Sequence, residues 1–172
     1  HAQARSNIVE VRGDVLRNGE PLTAQHTITA NDRIETGPGA SLVFSVSDSA
    51  FMVRQNSRMA MESDTPTAVK LLRLLSGAVA TVWGRGPDRQ IALPTATAGI
   101  RGTGIYLQEY ADDMVYSCLC YGKADYHAPL SSELLLSLEA IHHDKPIQVV
   151  KTSKGKLEYY EYHEPNHSDE EL

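Results

Sequence analysis

The chain has 172 residues, 41% of them hydrophobic, and a formal net charge of -6 at pH 7. This length suits one domain with its own core, and the acidic balance argues against nucleic acid as the main partner, because such partners select clustered positive charge. No apolar run approaches the roughly 20 residues that a membrane helix needs, so the sequence predicts no transmembrane segment.

The first seven residues point to export. Ala2-Gln3-Ala4 has the small-x-small form of a signal-peptidase site, with the rest of a signal expected upstream. We therefore interpret residues 1–7 as a cleavage remnant or a disordered N-terminus. The predicted location is the periplasm, with the signal peptide removed.

Residues 7–60 have the regular turn signals of a β protein. Strands of about five residues alternate with Gly, Pro, Asn or Asp every 8–12 residues, which favours a sandwich, barrel or solenoid. Asn18-Gly19 is a strong two-residue hairpin signal. The predicted fold is all-β, with short strands in a stacked, solenoid-like or sandwich arrangement and a C-terminal β extension.

Glycines mark the predicted turns of the central part. Residues 71–83 are predicted as two strands with a turn at Ser76-Gly77. Gly13, Gly77 and Gly122 each follow an apolar strand and open another, which is a weak internal repeat. In the C-terminal part, residues 131–141 are predicted as a strand rather than a helix, and two more strands follow before an acidic tail.

The only two cysteines lie two positions apart on a predicted strand. Because strand side chains alternate in direction, the thiols of Cys118 and Cys120 should point to the same side. A bridge between residues so close in sequence closes a strained ring, so in an exported protein the pair suggests metal ligation. The alternatives are two small buried packing residues and a pair of redox thiols.

Polar residues near the C-terminus would complete the predicted metal site. Two thiolates with imidazoles form the ligand set of tetrahedral zinc, which is the leading prediction, and they also suit copper or a [2Fe–2S] cluster. The candidate ligands are His142, His143 and His167, with His127 in reserve, and Asp144 and Asp169 are the candidates for orienting an imidazole.

Several motifs in order resemble the FecR family, which is named after a regulator of iron-citrate uptake. The resemblance covers roughly residues 8–126, and its Arg-Gly-Thr element is the most specific part. It implies an all-β exported or periplasmic domain that belongs, in named members, to a membrane-anchored regulator sensing an outer-membrane transporter. The motifs are Val11-Arg-Gly13-Asp-Val15, Asn31-Asp-Arg-Ile34-Glu-Thr36-Gly37, Leu75-Ser-Gly77-Ala-Val79 and Thr97-Ala-Gly-Ile-Arg101-Gly-Thr103.

The predicted organisation and function follow from these features. Residues 8–126 form a FecR-like domain, and residues 127–172 form an extension that carries the candidate histidines. Arg101, Gly102 and Thr103 are predicted as a structural turn rather than an anion site. No catalytic motif stands out, so the sequence predicts a non-enzymatic domain that binds a metal ion in a structural or sensing role. The alternatives are a copper or [2Fe–2S] redox centre for electron transfer, and a metal-free scaffold that binds envelope proteins or glycans.

Overall fold

A computed structural model describes residues 6–85, 88–94, 96–110, 114–127, 134–140, 147–153 and 156–162. These residues form 14 strands in one sheet and contain no helix, which confirms the predicted all-β fold. The strands are β1 (Ile8–Arg12), β2 (Val15–Arg17), β3 (Glu20–Pro21), β4 (Arg33–Thr36), β5 (Ser41–Val46), β6 (Ser49–Val53), β7 (Arg58–Glu62), β8 (Leu71–Val82), β9 (Arg89–Ala92), β10 (Thr97–Tyr110), β11 (Met114–His127), β12 (Leu134–Ala140), β13 (Ile147–Ser153) and β14 (Lys156–Tyr162).

The sheet is open and curled. Its main path runs β14-β13-β11-β10-β9-β8-β7-β4-β2-β3, and a branch of β1, β5 and β6 joins it at β8. Neighbouring strands are antiparallel except for β8 and β9, which are parallel. In the part of the chain that the structure describes, there is no helix long and apolar enough to cross a membrane.

The main core fills the inside of the curl. Alternation along β5 sends Leu42, Phe44 and Val46 inward, where each is at most 4% exposed. Phe44 stacks on Phe51 with ring centroids 4.9 Å apart, and Trp83 meets Phe51 edge-on at 5.2 Å. Burying each such side chain stabilises the fold by about 1.5–3 kcal/mol, so this aromatic group anchors the branch to the main path.

The Asn18-Gly19 hairpin is confirmed. Both residues have positive φ, 52° and 84°, as a type I′ turn requires. This turn type matches the twist of two antiparallel strands. The turn joins β2 to β3, with Arg17 opposite Glu20. Local turn chemistry therefore sets this register.

The predicted turn at Ser76-Gly77 is wrong. Residues 71–82 form one continuous strand, β8, which bends at Gly77, where φ is +83°. The first half of β8 pairs with β7, and the second half pairs with β6 from Val79 to Val82. A glycine is needed because the strand changes partners there, and the local sequence cannot distinguish such a bend from a turn.

The C-terminal part of the chain is also β. The predicted strand in residues 131–141 is present as β12, and the next two predicted strands are β13 and β14. Both β12 and β13 pair with β11, which places the C-terminal strands beside the two cysteines.

Candidate metal centre

Cys118 and Cys120 lie together on the outer face of β11. Val115 and Leu119 point into the main core, whereas both cysteine side chains point the other way and are only 1% exposed. The two Sγ atoms are 3.6 Å apart. Residues two apart on a strand are separated by about 6.6 Å along its axis, so the two thiols lean toward each other.

A small apolar cluster surrounds the thiols on this face, and we call it the outer cluster. The rings of Tyr106 and Tyr116 meet edge-on with centroids 5.9 Å apart. The Arg54 guanidinium carbon lies 5.7 Å from the centre of the Tyr106 ring. Side chains of β8 and β10 therefore pack against the thiols from one side of β11. The outer cluster consists of Ala78, Ala80, Tyr106, Tyr116, Cys118 and Cys120, with Met52 and Tyr121 packed against it.

β11 has a bulge at the second cysteine. Ile105 pairs with Leu119 and the adjacent Gly104 pairs with Tyr121, so Cys120 is an extra residue in β11. The bulge reverses which positions face inward: Leu119 points into the main core before it, and Ala124 does so after it. Alternation through Leu119 already places Cys120 on the same face as Cys118, and the bulge lets the next residue, Tyr121, pack on that face as well.

Arg101, Gly102 and Thr103 form the matching bulge in β10, within a continuous strand and not between two strands. Gly102 has a φ of +53°. The buried Thr103 hydroxyl lies 2.8 Å from the Arg101 carbonyl oxygen and 3.0 Å from that of Lys123, and it accepts the Arg101 N–H at 3.2 Å. This threonine locks the bulge to β11 and thereby holds the register of the cysteines.

The outer edge of β11 has a gap in its pairing at the cysteines. Tyr116 pairs with Val149 of β13, and Gly122 pairs with Ala140 of β12. Between these points, residues 117–121 have no strand partner on this edge among the described residues. Between these two pairings β11 has five residues (117–121), whereas the chain from Ala140 to Val149 has eight (141–148), which is three more.

Two tyrosine side chains beside the thiols have raised pKa values. Burial raises the pKa of Tyr121, and the charge of Cys120 raises it further. Burial also raises the pKa of Tyr126, against the hydrogen bond it shares with Ser117, and Cys118 adds to the increase. Both thiols therefore lie among buried apolar and tyrosine side chains, where an unneutralised charge is costly.

The family model described as FecR protein matches residues 32–121, which is more than half of the 172-residue chain. The chain belongs to the FecR family. The matched range begins before β4 and ends just after Cys120, so it contains the Arg-Gly-Thr bulge and both cysteines of this FecR domain. Comparison with curated protein sequences yields no match.

The fold of this FecR protein resembles two crystal structures of a protein from Parabacteroides distasonis ATCC 8503, described as a candidate anti-sigma factor. The TM-scores are 0.59 and 0.58, at 12% and 13% sequence identity. Each comparison covers 76% of this chain and 60% of the other, so the FecR protein spans little more than half the length of its structural neighbours. At this identity the likeness establishes the fold alone.

The structure brings together two of the predicted ligands, Cys118 and Cys120. The reserve ligand His127 lies at the end of β11, where it pairs with Thr97 and Leu134 seven residues beyond Cys120, or about 23 Å along the strand, so it is not brought to the thiols. The other predicted ligands and the two aspartates lie outside the described residues and stay predictions. Among the described residues, no group of three or more His, Cys, Asp or Glu side chains is arranged to hold a metal. The predictions that lie outside are His142, His143, Asp144, His167 and Asp169.

Sequence reasoning missed the two facing bulges. The signal was available in the glycines, because Gly102 and Gly122 lie at matching points of two long strands and both have positive φ. At Gly122 a Cβ would lie 2.5 Å from the Gly102 carbonyl oxygen, so the backbones approach too closely for a side chain. Paired strand glycines of this kind indicate a bulge rather than a loop.

Proposed function

We propose that this FecR protein is a non-enzymatic sensing domain that holds one transition metal, preferably zinc, through Cys118, Cys120 and one or two histidines. The observation that carries the proposal is the 3.6 Å separation of the two buried Sγ atoms. With metal–sulfur bonds of about 2.3 Å, two thiolates at this separation subtend an angle of about 103° at the metal, near the tetrahedral value.

The same distance discriminates between metal geometries. A linear two-coordinate site, as monovalent copper adopts with two thiolates, would need the sulfurs roughly 4.6 Å apart at that bond length. The observed separation therefore favours tetrahedral zinc or an iron–sulfur site over linear copper. An iron–sulfur or copper centre would give the domain an electron-transfer role, and it remains the alternative of this proposal.

The gap in the pairing of β11 supports histidine ligands from the C-terminal extension. The chain that leaves β12 at Ala140 returns to the edge of β11 at Val149, so it connects two points on either side of the cysteines. Because it has three residues more than a regular ladder needs, we propose that the surplus brings His142 or His143 toward the thiols. Asp144 would then orient the ligating ring.

The acidic tail supplies the remaining predicted groups. We propose His167 as a further ligand and Asp169 as its hydrogen-bond partner, which would tie the tail to the FecR domain. Metal binding would then couple the order of the extension to the metal concentration, which is what a sensing domain requires. As a member of the FecR family, the domain would act in the periplasm on other envelope proteins.

The first experiment measures metal content by elemental analysis of protein purified without a polyhistidine tag. We expect about one zinc per chain, because four side-chain ligands close one structural site. Cys118→Ser and Cys120→Ser should each lose the metal. A visible spectrum identifies the alternatives, since zinc sites are colourless whereas copper-thiolate and iron–sulfur sites absorb.

Single alanine substitutions of His142, His143 and His167 identify the imidazole ligands. His26→Ala is the matched control, because its Nδ1 accepts the Thr23 N–H at 3.0 Å in the N-terminal part. Metal-free wild-type protein, together with an unchanged melting temperature in Cys118→Ser, would refute the metal centre and leave the metal-free scaffold that binds envelope proteins or glycans.

A further inference from the structure

Cys118 and Cys120 are placed to react with each other as well as with a metal ion. Their Sγ atoms are 3.6 Å apart. A disulfide bond is about 2.05 Å long, so the sulfurs need to approach by only about 1.5 Å. Both side chains already point to the same face of β11, within the outer cluster. A movement of this size is within the range of small side-chain rotations.

The backbone would put strain on such a bond. Residues two apart on a strand are separated by about 6.6 Å, and Cα atoms joined by a disulfide are rarely more than about 6.8 Å apart. The strand cannot shorten freely, because the bulge beside the cysteines is held by the Thr103 hydroxyl, which lies 2.8 Å from the Arg101 carbonyl oxygen and 3.0 Å from that of Lys123. Strain makes a disulfide easier to reduce, so a bond here would be reversible.

Burial decides which oxidants can reach the two thiols. Both cysteines are only 1% exposed, so the active site of a protein oxidoreductase cannot contact them in the folded chain. A small oxidant such as hydrogen peroxide needs only a brief local opening. Such an opening is easiest beside the cysteines, because residues 117–121 have no strand partner on the outer edge of β11 in the described part of the chain.

The two sulfur atoms cannot bind a metal and each other at the same time. A metal ligand must be a thiolate, and in a disulfide neither sulfur is a thiolate. A bound metal ion in turn occupies the electron pair with which a thiolate would attack an oxidant. Oxidation and metal binding therefore exclude each other at this place.

We propose that Cys118 and Cys120 form a reversible disulfide that empties the metal site when a small peroxide is present. This regulation rests on the proposed function, since it acts on the same two sulfurs. One thiolate attacks a peroxide oxygen, which gives a sulfenic acid and releases hydroxide. The second thiolate attacks the sulfenic sulfur, which forms the S–S bond and releases a second hydroxide. The sulfurs together lose two electrons, the peroxide oxygens gain them, and zinc leaves as the divalent ion.

The first experiment uses the whole chain, reduced with dithiothreitol and stripped of metal with a chelator. Trypsin cuts after Arg101 and Lys123, so one peptide, residues 102–123, contains both cysteines. Treatment with about one equivalent of hydrogen peroxide should lower the mass of this peptide by about 2 Da, the loss of two hydrogens. A large excess of reduced glutathione, added before digestion, should restore the mass, because a strained disulfide does not resist this reductant.

The second experiment uses zinc-loaded protein and a colorimetric zinc indicator. Peroxide should release zinc in step with the loss of the two thiols. Bound zinc should also slow the oxidation at least about tenfold relative to the metal-free chain, because coordination removes the reactive thiolate.

Cys118→Ser and Cys120→Ser are the matched controls for the first experiment. Each variant lacks the second thiol, so peroxide should add oxygen to the peptide and should not produce the loss of two hydrogens. The same loss in either variant would place the reaction elsewhere and would overturn the proposal.

The outcomes separate this proposal from the metal centre itself. If the chain binds zinc but peroxide does not form the disulfide, the metal centre stands and the switch is refuted. If the disulfide forms in a chain that binds no zinc, the metal centre is refuted and the regulation with it. A disulfide that glutathione cannot reduce is a permanent structural bond, and it also overturns the proposal.

Discussion

Arg89 is a charged side chain held inside the protein, with only 5% of its side chain exposed. Its guanidinium donates to both carboxylate oxygens of Asp48 at 2.9 Å and to the Ser49 hydroxyl at 2.9 Å. It also lies 5.5 Å from the centre of the Trp83 ring. This arrangement fixes β9 to the turn between β5 and β6. The hydrogen bonds from Arg89 hold the pKa of Asp48 below its usual value of 3.8.

The lowered pKa of Asp48 predicts a pH dependence of stability. A carboxyl whose pKa falls on folding contributes stability that is complete above its unfolded pKa and is lost as pH falls through the folded one. Asp48→Asn should cost about 2 kcal/mol in the free energy of unfolding at pH 7, because it leaves the buried Arg89 charge unpaired. The difference from wild type should narrow in acid, below the unfolded pKa. Urea unfolding at pH 7 and pH 3 measures it.

Asp64→Asn is the control for this ion pair. Asp64 pairs with Lys70, but both side chains are largely exposed, at 84% and 68%. Such pairs contribute about 0–1 kcal/mol. Equal losses in the two variants at pH 7 would contradict a special role for Asp48.

At the scale of elements, glycines decide where strands bend and where they turn. Gly77 and Gly19 have nearly the same backbone, with φ of +83° and +84°. A Cβ at Gly77 would lie 2.2 Å from Ser57 Oγ and 2.4 Å from Ser57 Cα, whereas one at Gly19 would meet nothing within 4 Å. The hydroxyl of Ser57 also accepts the Ala78 N–H at 2.9 Å, so Ser57 cannot move away freely.

This difference predicts unequal costs for the same substitution. Gly19→Ala should lose about 1–2 kcal/mol, which is the cost of a left-handed backbone for a residue with a side chain. Gly77→Ala should lose clearly more, because steric overlap with backbone atoms is added to that cost. Urea unfolding of both variants measures the two losses. Similar values would mean that β8 relaxes around the new side chain.

The two facing bulges are the elements that organise the outer cluster. Inward positions on β10 change from Ala98 and Ile100 before the bulge to Ile105 and Leu107 after it. The matching change on β11 keeps the two strands in phase. Strict alternation places Cys118 and Cys120 on one face, as observed, and the bulge after Leu119 adds Tyr121 to the same face.

At the scale of the whole molecule, metal binding should contribute to stability because the proposed site joins the FecR domain to the C-terminal extension. A ligand that binds only the folded state stabilises it by about 2.7 kcal/mol when present at 100 times its dissociation constant. For a chain of this size, this corresponds to a rise in melting temperature of about 5–11 °C. Thermal unfolding with zinc and with a chelator measures the difference.

Cys118→Ser is the control for the zinc effect, and its melting temperature should not respond to zinc. A zinc-dependent rise of the same size in that variant would place the ion elsewhere.

The amino-acid sequence alone predicted what depends on neighbours along the chain. The β class follows from frequent turn residues, and the Asn18-Gly19 hairpin follows from two residues that accept positive φ. The shared face of Cys118 and Cys120 follows from strand alternation. The FecR resemblance rested on short motifs of the same local kind, and it agrees with the family match.

Only the tertiary structure decided the features that depend on distant strands. β8 bends at Gly77 rather than turning because β7 pairs with its first half and β6 with its second half. Arg101-Gly102-Thr103 is a bulge because β11 lies opposite. The burial of Arg89 needs Asp48 from another strand pair. The gap beside the cysteines exists because two separate strands share one edge of β11. Pairing between distant segments is set by packing of the whole sheet, and no local pattern encodes it.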